Sequence, residues 1–124
     1  MNIDRQFSND KPIYVQLVQR IKRLIVSGAL QPGDKLDSVR DIALDAKVNP
    51  NTVQRAFSEL ERTGLVYTQR TSGRFITDDV QLISDMRQEL ATEEIEMFFE
   101  NMKQLGFDDA ATIKMVKEKN HEHS

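Results

Sequence analysis

Residues 47–65, KVNPNTVQRAFSELERTGL, contain a helix whose start, stop and two faces are all set by residue type. Asn49 is a strong N-cap, because its side-chain oxygen can accept from an orphan backbone N–H. Pro50 suits the first helical position, where its missing N–H costs nothing. Val53, Ala56, Phe57 and Leu60 recur at intervals of three and four, the spacing of one buried stripe, and Gly64 closes the helix. Asn51, Arg55, Ser58 and Arg62 fall on the opposite side and have no packing duty. Such a helix presents a small polar end while its apolar side is anchored beneath.

The residues ahead of it predict two more helices. Tyr14, Leu17, Val18, Ile21, Leu24 and Ile25 form a stripe that begins after Lys11-Pro12, with Asp10 available as a cap, and ends at Ser27-Gly28. Residues 1–10 read as a polar lead-in. Leu30 and Leu36 anchor a connector that turns at Pro32-Gly33-Asp34. Ser38 can cap a short helix, with Asp41 three residues on as a variant capping box and Val39, Ile42 and Ala43 facing inward. That helix must stop near Asp45 to leave room for the turn before Asn49. Beyond Gly64, Leu65–Gln69 and Arg74–Thr77 read as two strands joined by the turn Arg70-Thr71-Ser72-Gly73.

Three helices, the last two separated by a tight turn, followed by a β-hairpin, make a winged helix-turn-helix. The fold class expected is mainly α with a small β-hairpin: a winged domain over residues 1–78, then a short helical dimerisation module over 79–124. In this arrangement the second helix of the motif enters the DNA major groove with its N-terminal end leading. Asn49, Asn51 and Thr52 are small polar groups suited to base edges, Pro50 stiffens the approach, and Gln54 and Arg55 reach a base edge or phosphate one turn later. Taken singly, Asn49-Pro50 is also what any capped helix needs, and Arg40, Arg55 and Arg62 are also ordinary exterior charges. Their joint order carries the reading.

Charge distribution supports it. The net charge of −3 alone argues weakly against nucleic acid, but residues 1–78 carry 12 Lys/Arg against 9 Asp/Glu, while residues 79–124 carry 5 against 11. Only the first part is suited to approach phosphates. Other classes find little footing. With no cysteine there is no disulfide or thiolate chemistry. The N-terminus lacks a secretory apolar core, and no apolar run nears the roughly 20 residues of a membrane span. A soluble cytoplasmic protein without cofactor or metal is therefore expected. The only histidines, His121 and His123, lie in a tail whose HEHS spacing does not fit HExxH, and no Gly-rich phosphate loop is present, so an enzyme is not expected.

The segment GALQPGDKLDSVRDIALDAKVNPNTVQRAFSELERTGLVYTQRTSGRFI resembles the DNA-binding domain of the GntR family of bacterial transcriptional regulators, over roughly residues 11–77. Gly28, Leu30, Pro32-Gly33, Leu36, Ser38 and Arg40 match the first part of the family pattern. Ile42-Ala43, Val48, Thr52-Val53, Ala56, Leu60 and Gly64 match its continuation. Val-Asn-Pro-Asn-Thr-Val is similar to the YtrA-like branch, whose members add a short, mainly two-helix dimerisation module. The resemblance implies phosphate or guanine contact by Arg40, contacts at the head of the recognition helix by Asn49, Pro50, Asn51 and Thr52 with Gln54 or Arg55 further along, and a wing tip at Arg70 that reaches the minor groove. Pro50 replaces an arginine of other branches. Thr71 stands where the family usually has glycine, although Gly73 is retained, and Asp37 stands where many relatives have proline. The resemblance further implies repression of operons for ABC-type transporters.

The acidic last part is expected to hold two chains together. Ile83, Met86, Leu90, Met97, Phe98, Met102 and Leu105 form a helical stripe, widened by Val80, Leu82, Ile95 and Phe99, with a kink or split near Ala91-Thr92. After Gly106, Asp108 can cap a final helix bearing Ala111, Ile113, Met115 and Val116, and the tail KEKNHEHS is expected to fray. This stripe exceeds what a lone amphipathic helix can hide. A homodimer paired through it would read a palindrome in double-stranded DNA, and an unidentified small-molecule effector could bind between the helices. The alternative is a winged-helix protein-interaction module that binds no DNA.

Overall fold

The first helix, α1 (Ile13–Val26), buries Leu17, Val18, Ile21 and Ile25, the core of the expected stripe. The computed structural model describes Ile3 and residues 6–123. Asp10 is not the cap of α1: the N-cap is Pro12, with no side-chain cap bond, and the Asp10 carboxylate accepts from Ser8 Oγ instead. Gln16 takes over the local satisfaction, donating to Ser8 O at 2.9 Å and Lys11 O at 2.8 Å and accepting from Ser8 N–H at 3.0 Å. The lead-in is also less polar in its packing than expected. Ile3 is buried in the core, and the Arg20 guanidinium lies 4.0 Å over the Phe7 ring.

Helix α2 (Val39–Ala46) starts as its sequence requires, with Ser38 Oγ accepting from Asp41 N–H at 3.1 Å. It ends at Ala46, close to the expected stop near Asp45, but the way it ends was not legible. Lys47 takes left-handed dihedrals, φ 56° and ψ 49°, a conformation usually left to glycine, and Val48 N–H donates back to Ala43 O at 3.0 Å. Helix α3 (Pro50–Arg62) then lays Val53, Ala56, Phe57 and Leu60 fully into the core against α1 and α2. Each large side chain so buried contributes about 1.5–3 kcal/mol relative to exposure, so the apolar face holds the helix and frees the opposite one.

Strands β1 (Val66–Gln69) and β2 (Gly73–Ile76) pair antiparallel with Val66 opposite Ile76 and Gln69 opposite Gly73. Residues 33–36 continue the sheet beyond β2, with Lys35 bridged to Phe75. This edge explains why so short a hairpin is stable: it is paired on both sides of β2 and roofed by the helices. The core is closed by Leu36, Leu65 and Val66, and by Ile83 from the start of α4 (Val80–Gln104).

The chain divides into two compact units, Met1–Met86 and Arg87–Ser124. Helix α4 runs without interruption, so the phase drift at Ala91-Thr92 does not split it. Gly106, at φ 93°, ends it, and Phe107 N–H donates to Met102 O at 3.0 Å. Asp108 Oδ1 caps α5 (Asp109–His123) by accepting from Ala111 N–H at 2.8 Å. The expected fraying of the tail is corrected: α5 continues through His123, because the i to i+4 ladder persists through KEKNHEH, while Ser124 lies outside the described residues.

Candidate nucleic-acid interface

Asn49 Oδ1 accepts from Asn51 N–H at 2.8 Å, which fixes the start of α3 and orients its first turn. Asn49, Pro50, Asn51, Gln54 and Arg55 are exposed there, whereas Thr52 is half-buried. The helix dipole gives this end a positive potential that suits phosphate. The small amides beside it suit base edges.

The far side of α3 is less idle than its sequence suggests. Arg55 has a packing role after all: its guanidinium lies 3.9 Å over the Tyr14 ring and 3.4 Å from the Tyr14 hydroxyl. Sequence reasoning placed Tyr14 on the core stripe of α1 and could not see that its rim is half-exposed beneath Arg55. Ser58 donates to Gln54 O within the helix at 3.0 Å, and Arg62 pairs with Glu59, so neither is poised for a ligand.

The wing is tied to α3 through Glu61. Its carboxylate accepts from Thr68 Oγ1 at 2.6 Å and from Arg74 Nε at 2.9 Å, while the Arg74 guanidinium stacks 4.9 Å over Phe57. The Thr68 hydroxyl bond, followed by Arg74, holds the Glu61 carboxyl below its ordinary value. On the outer face of the hairpin Tyr67 stacks on Phe75 at 5.7 Å. These contacts set where the exposed turn Arg70-Thr71-Ser72 and Gly73 project. Arg40, exposed near the start of α2, lines a cleft of about 380 Å³ together with Lys35, Ser72 and Gly73. The structure therefore brings Arg40 to the base of the wing. Lys35 was missed; its position one residue before the buried Leu36 in an extended segment is the signal that points it outward.

In the second unit, Phe98, Phe99, Ile113 and Val116 surround an apolar groove of about 310 Å³ with Ile95 and Lys117. Phe98 and Phe99 meet edge to face at 5.8 Å. Leu105 is exposed, and Leu90 and Met102 are half-buried. Ile83 lies in the core of the first unit and Met86 packs against that core. Among the described residues no group of three or more His, Cys, Asp or Glu could hold a metal ion, and no helix is long and apolar enough to cross a membrane.

Comparison with known proteins agrees with this geometry. The model of bacterial regulatory proteins of the gntR family matches residues 13–76. The chain is 42% identical over 115 residues to the HTH-type transcriptional regulator YhcF of Bacillus subtilis, covering 93% of this chain and 95% of that protein. It is 40% identical to the HTH-type transcriptional repressor YtrA of the same organism, covering 90% and 80%. Among solved structures, a GntR family transcriptional regulator from Listeria monocytogenes superposes with a TM-score of 0.81 at 41% identity, covering 90% of this chain and 98% of that one.

Proposed function

The chain belongs to the gntR family of bacterial regulatory proteins, in its YtrA-like branch, and is a sequence-specific DNA-binding transcriptional regulator; we propose that it acts as a homodimeric repressor on a palindromic operator. It is a regulator rather than an enzyme, and it works in the cytoplasm, where its DNA target lies.

One observation carries the reading: the polar first turn of α3 is exposed and capped by Asn49 while the other side of the helix is fully buried. Asn49, Pro50, Asn51, Thr52 and Gln54 enter the major groove, Arg55 and Arg40 meet the backbone, and the Arg70–Gly73 wing lies in the neighbouring minor groove.

The second unit supplies the pairing. Ile95, Phe98, Ile113 and Val116 are each between 42% and 55% exposed around the apolar groove, a cluster that calls for cover. The occupant is a second copy of this chain. Two winged domains double the phosphate contacts of one and read half-sites separated by about one helical turn or a multiple of it. The repressor role rests on the likeness to YtrA, whose name records that activity.

Selection from a randomised duplex library, with the intact protein, tests the reading. A two-fold symmetric consensus is expected, together with a dimer in sedimentation that Phe98→Glu converts to monomer. Failure to enrich any duplex at low salt sinks it, and a reporter placed behind the selected site distinguishes repression from activation.

A further inference from the structure

Residues 33–36 run along the edge of β2 as a third, extended segment. Gly33 N–H donates to Ile76 O at 3.0 Å, Ile76 N–H to Asp34 O at 2.8 Å, and Leu36 N–H to Arg74 O at 2.9 Å. Alternation along an extended backbone sends successive side chains to opposite faces. Leu36 accordingly goes into the core, and Lys35 goes outside.

The lysine does not simply wave in solvent. A methyl group placed on Gly73 would stand 3.2 Å from Lys35 Cε and 3.9 Å from its Nζ. The hydrocarbon stem therefore crosses the wing at the one position that lacks a side chain, and the ammonium emerges beside the wing turn. Ser38, Arg40 and Ser72 line the same cleft, as do Asp37 and Arg74. Arg74 is engaged by Glu61, so Lys35 and Arg40 against Asp37 leave one positive charge in excess. Among the described residues Lys35 forms no ion pair. A cation with a packed stem, set between the start of α2 and the wing, is built to meet a polyanion lying across both.

Resting on the DNA-binding reading above, we infer that Lys35 is a duplex backbone contact, held at the junction of wing and second helix, and that Gly73 serves it by leaving the path of its side chain open. Gly73 then acts as a positioning residue and not as a contact in its own right. Its φ of 107° also excludes other residues easily adopting this backbone. Because a lysine on a phosphate carries no sequence information, Lys35 strengthens operator and random duplex alike.

The test compares the intact protein with Lys35→Met, which keeps the stem and removes the charge, on the selected duplex and on a scrambled one across a salt series. The plot of log affinity against log salt is expected to become shallower by about 1.8 on both duplexes, the loss of one neutralised phosphate in each of the dimer's two subunits. Lys35→Arg restores the slope. Gly73→Ala lowers the slope in the parent by more than it does in the Lys35→Met background, where only its strain on the wing remains; an equal drop in both backgrounds removes Gly73 as the positioning residue. An unchanged slope in Lys35→Met, or a loss confined to the selected duplex, overturns the inference while leaving DNA binding intact. If the parent protein binds no duplex at low salt, both readings fall. Should Lys35→Met melt well below the parent, Lys35→Gln is read by the same criteria.

Discussion

The Arg55 guanidinium lies 3.9 Å over the ring of Tyr14, a residue 41 positions earlier in the chain. An exposed cation–π contact of this kind contributes about 0.5–1 kcal/mol. Its larger effect is on geometry, since it removes rotamer freedom from a long side chain before any ligand arrives.

Arg55→Ala and Tyr14→Leu should each weaken duplex binding, and the two changes together should cost no more than Arg55→Ala alone. The coupling expected in that double-mutant cycle is about 0.5–1 kcal/mol, read from binding isotherms at fixed salt. Strictly additive losses would show that Tyr14 does not act through Arg55. Tyr14→Phe, which keeps the ring, should bind close to the parent.

Asn51→Ala should cost about 1–3 kcal/mol on the preferred duplex and much less on random DNA, because an amide on a base edge discriminates and a phosphate contact does not. Competition binding between the two duplexes measures it. Equal losses on both would remove Asn51 from the base-reading set.

The clamp between α3 and the wing should respond to acid. Glu61 titrates below its ordinary value near 4.5, first through the Thr68 hydroxyl bond and then through Arg74. A depressed folded-state value means that this stabilisation is complete above the unfolded value and is lost as pH falls through the folded one. Thermal unfolding followed from pH 7 to pH 3 should therefore drop less steeply for Glu61→Gln than for the parent. A parallel pair of profiles would show that the carboxylate contributes nothing linked to protonation.

Lys47 holds left-handed dihedrals without being a glycine. Lys47→Gly relieves that conformation but loosens the unfolded chain, so a net gain of about 0.5–1 kcal/mol is expected. It should appear as a higher urea midpoint with an unchanged slope; a lower midpoint would mean that the lysine side chain is stabilising the turn.

Local chemistry made much of this protein legible from its residues alone. The starts of α2, α3 and α5 follow from Ser38, Asn49 and Asp108, because a capping oxygen acts on an N–H two or three residues away. The buried stripe of α3 follows from helical periodicity, and the hairpin from its turn. Where the local signal had competitors, the reading failed: Asp10 pairs with Ser8 rather than capping α1, and the tail stays helical to His123.

The order of residues by itself determined the elements, their buried faces and the polar head of α3, since each depends on neighbours within a turn or two. Only the tertiary structure decided which distant groups meet: Arg55 on Tyr14, Glu61 with Thr68 and Arg74, and Lys35 across Gly73. Those partners are fixed by how the helices and the wing pack on Phe57 and Leu60, and no periodicity along one element carries the distance to a side chain on another.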